Sequence, residues 1–364
     1  MIKFFRKIRQ KMIKDNKVSK YLLYAIGEIA LVVIGILIAL QLNTNKENRI
    51  KNDLGYTYLE EMKNDLRDDF FEMYNFIRRL NKNIKRQEAA LNTNNINALP
   101  LDSIRMIISP LEIDFTIGDL TFAKMKNLGI TSITKNDIVT SSINRYYNFE
   151  FEDMKSDLEE YSVHYKKHLE FLNSKQDAID FSFNPKEEFD FPALYKKSRI
   201  ALNNQNRINS IKFITSIKGR MLIIKDLNEK KNLLFLMKYY SESAQRLIEK
   251  IYDELKNNNP QIEPLFLFPS QVNFNKITLS KDALMKYVGK YKSEDNGDII
   301  ISTEEMRIYV EFVNGSTLEV FPFEKDKFFH DSFFFHIQFN KVNGEVNGLT
   351  QNVAGKRFEY IKTK

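Results

Sequence analysis

The chain has 364 residues with no Cys and no Trp, and 55 Lys and Arg stand against 48 Asp and Glu for a formal charge of +7. Lack of Cys excludes disulfides, thiolate metal sites, a thiol nucleophile and a lipid-modified cysteine anchor. The excess charge sits at one end: residues 1–20 hold eight cations (Lys3, Arg6, Lys7, Arg9, Lys11, Lys14, Lys17 and Lys20) against Asp15. The remaining chain is formally neutral, which excludes the basic footprint that nucleic-acid binding needs.

Taken in chain order, the first expected element is membrane-spanning. Residues 22–42 read LLYAIGEIALVVIGILIALQL, a helix of roughly 30 Å that matches a hydrocarbon core. Its Leu, Ile and Val residues contribute roughly −4 to −8 kcal/mol to insertion, whereas Glu28 opposes it by about 3 kcal/mol. The apolar run is longer than a signal-peptide core and offers no small-x-small cleavage site. Cations precede the run, so the positive-inside rule places residues 1–20 in the cytoplasm and the bulk of the chain outside the inner membrane, in a periplasm. In the tail, Phe5, Ile8 and Met12 at helical spacing between cations suit either a helix lying on an anionic leaflet or a disordered tail. Gly27, Gly35 and Ala39 share one face of the span with Glu28 beside it, so the expected partners are the membrane and, through this face, a second copy or another membrane protein. A lone helix is the alternative.

Residues 46–92 contain no Pro, and Leu66, Phe70, Met73, Ile77, Leu80, Ile84 and Leu91 recur at alternating four and three, with Gln87 in the same seam. This is the stripe of a long helix of coiled-coil type. A short helix over 119–127 closes at Gly129. Thr134 and Asp137 resemble a capping box that starts a helix reaching about Lys175 with a break near Phe149, and helical patterning returns over 192–258. Three long helices bury their stripes together as an antiparallel bundle. Asn257, Asn258, Asn259, Pro260 and Pro264 then mark a linker. Beyond it the period becomes two: Met306, Ile308, Val310 and Phe312 alternate with polar residues, as do Phe333, Phe335, Ile337 and Phe339, with Asn314-Gly315 and Asn343-Gly344 as hairpin signals. Six to eight antiparallel strands are expected, in a barrel-like arrangement. The expected class is thus a membrane anchor plus α+β: a basic tail at 1–20, a transmembrane helix at 21–43, a helical bundle at 44–258, a linker at 259–278 and an antiparallel β domain at 279–364.

Several stretches resemble known families. MIKFFRKIRQ (1–10), SKYLLYAIGEI (19–29) and LVVIGILIALQ (31–41) resemble the signature of uncharacterised single-pass membrane proteins of Bacteroidota-type bacteria, and KNLGITSITKNDI (126–138) with INRYYN (143–148) resembles that family's middle region. The resemblance covers about residues 1–258 and implies a helical extracytoplasmic domain without a known activity. LMKYVGKY (284–291), Phe328-Phe329 and FNKVNGEVNGL (339–349) are similar to the small β domain appended to serine β-lactamase-like hydrolases.

That second resemblance requires a search for hydrolase machinery. Ser132 to Lys135 spell S-x-x-K, and Tyr146 to Asn148 spell Y-x-N, but these enzymes surround the pair with a large α/β domain and a Lys-Thr-Gly element that this chain does not carry. His164 and His168 lie four apart on a helix, with Glu160 one turn earlier, a trio that zinc could use. The competing reading makes His168 a core-edge residue in the seam of Met154, Leu158, Tyr161, Tyr165 and Leu172, and no second carboxylate helix is evident to complete a ligand set. Adjacent carboxylates at Glu60-Glu61, Asp68-Asp69 and Glu159-Glu160 read as solvated faces. No glycine-rich phosphate loop or zinc-protease motif occurs. No catalytic, cofactor or metal residue is therefore assigned. The expected function is that of a non-catalytic envelope scaffold for protein interaction or sensing. The alternatives are a small apolar ligand in the β domain, motivated by Phe333, Phe334 and Phe335, or an accessory role beside a separate hydrolase.

Overall fold

The structure is a computed structural model that describes residues 18–93, 95–99, 101–130, 133–174, 193–272, 274–330 and 334–363. Residues 1–17 of the basic tail, Ser132 and Phe333 lie outside the described residues. Helix α1 spans Val18–Asn92, 75 residues without interruption, or about 110 Å at 1.5 Å per residue. Its Ala25–Glu47 part is long and apolar enough to cross a membrane and is not buried against any other element. Further on, the same helix changes character: Leu66, Met73 and Leu80 are fully buried and Phe70, Ile77 and Ile84 nearly so. The expected boundary between anchor and bundle is therefore a change of surroundings along one helix.

Helix α2 covers Leu101–Ile108 and α3 covers Leu120–Asn127, the latter closed by Gly129 at φ +69°. Helix α4 covers Asp137–Arg145 and runs through a π-turn at Tyr146–Glu150 into α5, Phe151–Asn173. The widened turn falls where a break was expected and buries Tyr146 and Tyr147, with Tyr147 stacked on Phe122 at 4.6 Å between ring centroids. The cap of α4 is Asn136, whose side chain accepts the Ile138 N–H, two residues later than the expected Thr134. Thr134 instead donates to Glu254 and accepts the Asn136 N–H. The single helix expected over 192–258 is two, α6 (Ala193–Thr215) and α7 (Ile217–Asn258), because Ser216 leaves helical geometry and caps α7 by accepting the Gly219 N–H.

The bundle core joins the α1 stripe to Leu233, Met237, Tyr240, Ala244, Leu247, Ile248, Ile251 and Leu255 of α7, with Tyr161 and Met154 of α5. Beyond its far end, Ala90, Ile104, Ile108, Leu172, Ile214 and Ile223 form a smaller apolar cluster. Residues 259–278, expected as a linker, pack onto this bundle: Phe268 is fully buried and meets Phe70 edge-on at 5.1 Å.

After a short helix α8 (Lys281–Met285), eight strands follow: β1 Gly289–Lys292, β2 Ile299–Glu304, β3 Arg307–Phe312, β4 Thr317–Glu324, β5 Lys327–His330, β6 Phe335–Val342, β7 Glu345–Val353 and β8 Lys356–Thr363. Each pairs antiparallel with the next, and β8 pairs with β1, so the sheet closes into a barrel. Asn343 and Gly344 both adopt positive φ, 52° and 85°, as a tight primed hairpin requires. Met306 falls in the β2–β3 turn and is exposed, which corrects the expected alternation at that residue. The interior is filled by Leu284, Tyr291, Ile301, Val310, Phe328, Ile337 and Phe339, as the width of an eight-stranded barrel permits.

Barrel and bundle meet through aromatic rings. Phe334 lies in the bundle core, stacked with Phe71 at 5.5 Å and near Tyr74 and Phe274, whereas its neighbour Phe335 points into the barrel. Gly355 is required at this junction twice over. Its φ is +74°, and a Cβ there would stand 2.7 Å from Phe71 and 3.0 Å from Arg67.

Candidate functional site

Three helices converge on Asp226. Helix α5 supplies His164 and His168 from one face, α7 supplies Asp226 and Lys230 four residues apart, and α1 supplies Gln87 from the seam identified in the sequence. Asp226 and Lys230 have no exposed side-chain surface, His168 has 1% and His164 has 15%. A cluster of this kind survives burial only if its polar atoms are paired, because each unpaired charge costs several kcal/mol.

The two carboxylate oxygens of Asp226 have different duties. Oδ2 accepts from the Lys230 ammonium and from Gln87 Nε2, the latter at 2.6 Å, and Gln87 is itself held by donation to the Ile107 carbonyl at 3.0 Å. Oδ1 faces the imidazoles: His164 Nε2 is hydrogen-bonded at 3.3 Å, and His168 Nδ1 lies at the same distance but off hydrogen-bonding geometry. Neither ring nitrogen of His168 has a hydrogen-bond partner among the described residues. Burial works against the carboxylate charge, yet the two imidazoles and the Lys230 ammonium hold Asp226 below the ordinary carboxylate range. Burial pushes the Lys230 ammonium down, and the Asp226 charge opposes that shift.

Sequence spacing placed Glu160 with the histidines, but Glu160 is exposed, and the carboxylate that reaches them is Asp226. The missed signal is the pair Asp226 and Lys230, opposite charges one turn apart within the apolar stripe of Ile223, Leu227, Leu233 and Met237. Of the S-x-x-K and Y-x-N fragments, Ser132 lies outside the described residues, Thr134 and Lys135 border a loop, and Tyr146 and Tyr147 are core residues. No Ser or Thr hydroxyl is hydrogen-bonded to His164 or His168 among the described residues, so the cluster is not arranged as a nucleophile with its base.

Asp69 also departs from the solvated face expected for it. It is 7% exposed and accepts the Gly118 N–H on both oxygens at 3.2 Å. Burial, reinforced by the charges of Asp65, Asp68 and Asp119, pushes its carboxyl up to about 7 against the pull of the Gly118 N–H. On the apolar span, Gly27, Gly35 and Ala39 are exposed and Glu28 is partly so, and nothing lies within 4 Å of a Cβ at either glycine. A cleft of about 690 Å³ lies between bundle and barrel. Of its cations, Arg67 and Lys356 pair with Asp68, Arg357 pairs with Glu359, and Lys63 feels the opposing charges of Glu60 and Glu263. The Asp226 cluster is therefore the stronger candidate for chemistry. Comparison with known proteins finds neither a family model nor a curated sequence that matches this chain.

Proposed function

We propose that the chain is a non-catalytic, membrane-anchored envelope protein that holds its bundle and barrel outside the inner membrane as a scaffold for protein interaction or sensing. In this reading the Ala25–Glu47 stretch crosses the membrane, residues 1–20 remain in the cytoplasm, and everything after the span is periplasmic. The observation that carries the reading is the continuity of α1, whose apolar part is unburied among the described residues while its later turns form the centre of the bundle. A span joined to the bundle without a loop transmits tilt and rotation between the two. The basic tail supports the orientation, and the filled barrel interior weighs against a small apolar ligand there.

The reading is tested by fusing, after Lys364, a reporter enzyme that works only outside the cytoplasm. Activity with membrane-bound full-length chain is expected. Release of a chain cleaved after residue 42, or activity of a cytoplasm-only reporter, would overturn it.

A further inference from the structure

We propose that His164, His168 and Asp226 bind one divalent transition-metal ion of the zinc type. The proposal goes beyond the anchoring role and does not depend on it. Asp226 Oδ1 has one hydrogen bond, with His164, whereas Oδ2 is satisfied twice. His168, 3% exposed as a residue, has neither ring nitrogen hydrogen-bonded among the described residues, its Nδ1 meeting Asp226 Oδ1 only as an off-axis contact at 3.3 Å. A single atom placed between the two rings and Oδ1 would use all three.

Two of the three separations suit such an atom. For ligands about 2.0–2.1 Å from a tetrahedral zinc, neighbouring ligand atoms stand about 3.3–3.4 Å apart. His164 Nε2 and His168 Nδ1 are each 3.3 Å from Asp226 Oδ1, and the three ligand atoms lie within 4.8 Å of one another, so the two imidazoles would close to about 3.4 Å on binding the ion. In a coordinated trio each lone pair aims at the shared centre and not along the line to the next ligand. His168 Nδ1, close to Oδ1 yet off hydrogen-bonding geometry, is so placed, whereas the His164 Nε2–Oδ1 hydrogen bond would give way to coordination. Gln87 and Lys230 would then orient the carboxylate from behind, as outer-shell groups do in metal sites. Two imidazoles and one carboxylate select Zn2+, Co2+ or Ni2+ over Ca2+ and Mg2+, which prefer oxygen alone. The partial exposure of His164 gives an entry side and leaves a fourth position for water.

Lys230 supplies the discriminating variant, because its ammonium stands beside the ion and competes with it for Asp226. The test titrates untagged full-length chain in detergent micelles with Co2+ after treatment with a chelator, reading the visible absorption of tetrahedral cobalt and its displacement by Zn2+. The chain has four histidines in all, so background binding is small. One ion per chain is expected, with affinity falling at least a hundredfold in His164→Gln and rising at least tenfold in Lys230→Met. Circular dichroism of each variant checks folding, and the partly exposed His164 makes its replacement the least disruptive. Failure of the wild-type chain to bind Co2+ or Zn2+, or equal affinity in wild type and His164→Gln, would overturn the proposal while leaving membrane topology untouched.

Discussion

Phe334 offers the sharpest test of how barrel and bundle are joined. Its ring is 3% exposed and meets Phe71, Tyr74, Phe274 and His336 with centroids between 5.5 and 5.9 Å. Truncation of such a residue to Ala costs about 3–5 kcal/mol. The backbone adds a second, separable quantity, since Phe334 holds φ at 47°, where a side chain costs roughly 1–2 kcal/mol that glycine avoids. Glycine's freedom in the unfolded chain takes back about 0.4–1 kcal/mol. Phe334→Gly is therefore expected to be more stable than Phe334→Ala by up to about 1.6 kcal/mol, the reverse of the usual order. Urea unfolding in micelles followed by tyrosine fluorescence measures both. Trypsin gives an independent reading at Lys276, whose ammonium sits over the Phe321 ring at 3.3 Å next to the Phe274–Phe329 stack. Cleavage there is expected to be slow in the wild type and about a hundredfold faster in Phe334→Ala if local opening gains 3 kcal/mol. A Phe334→Ala chain within 1 kcal/mol of wild type, with unchanged cleavage, would refute the account of the junction.

Two further outcomes follow from the same structure. Asp69 has a folded-state pKa of about 7, above its unfolded value, so the stability linked to its proton is present in acid and lost as pH rises through 7; Asp69→Asn is expected to stabilise the chain by up to about 4 kcal/mol at alkaline pH and hardly at all near pH 4, and equal urea midpoints of variant and wild type in alkaline buffer would contradict this. On the proposal that two spans meet through Gly27, Gly35 and Ala39, Gly35→Leu should lower association in a membrane two-hybrid assay of residues 19–45 and Glu28→Leu should exceed Glu28→Gln in effect, whereas equal signals would leave α1 as a lone anchor.

The parts of this architecture that depend on local pattern were legible in the sequence. The seam from Leu66 to Ile84 is buried as its spacing implies, Gly129 and Gly344 turn the chain where expected, and the period-two alternation of Phe335, Ile337 and Phe339 points into a barrel. What escaped depends on groups far apart in the chain. Asp226 joins His164 across 62 positions, and no spacing rule connects them. Asp69 looked like one of a solvated pair because adjacency says nothing about the loop that brings Gly118 over it. The break at Ser216 was missed for a local reason: its capping hydroxyl acts on Gly219, inside a stretch whose apolar periodicity continues on both sides.

The arrangement of the bundle also sets the order in which it can be completed. The α1 stripe, made first, has its main covering in α7 at residues 217–258. On the proposal that the chain is inserted in a membrane as it is made, the later turns of α1 emerge behind the span and must wait for the intervening chain before Met73, Leu80 and Gln87 are covered. A nascent chain stalled before residue 217 would present an uncovered apolar stripe tethered beside the bilayer, where lipid, a chaperone or the stripe of a neighbouring nascent chain could occupy it. Pairing that spans such sequence separation is slow to form, so this interval, more than the stability of the finished bundle, should decide how much chain reaches the folded state.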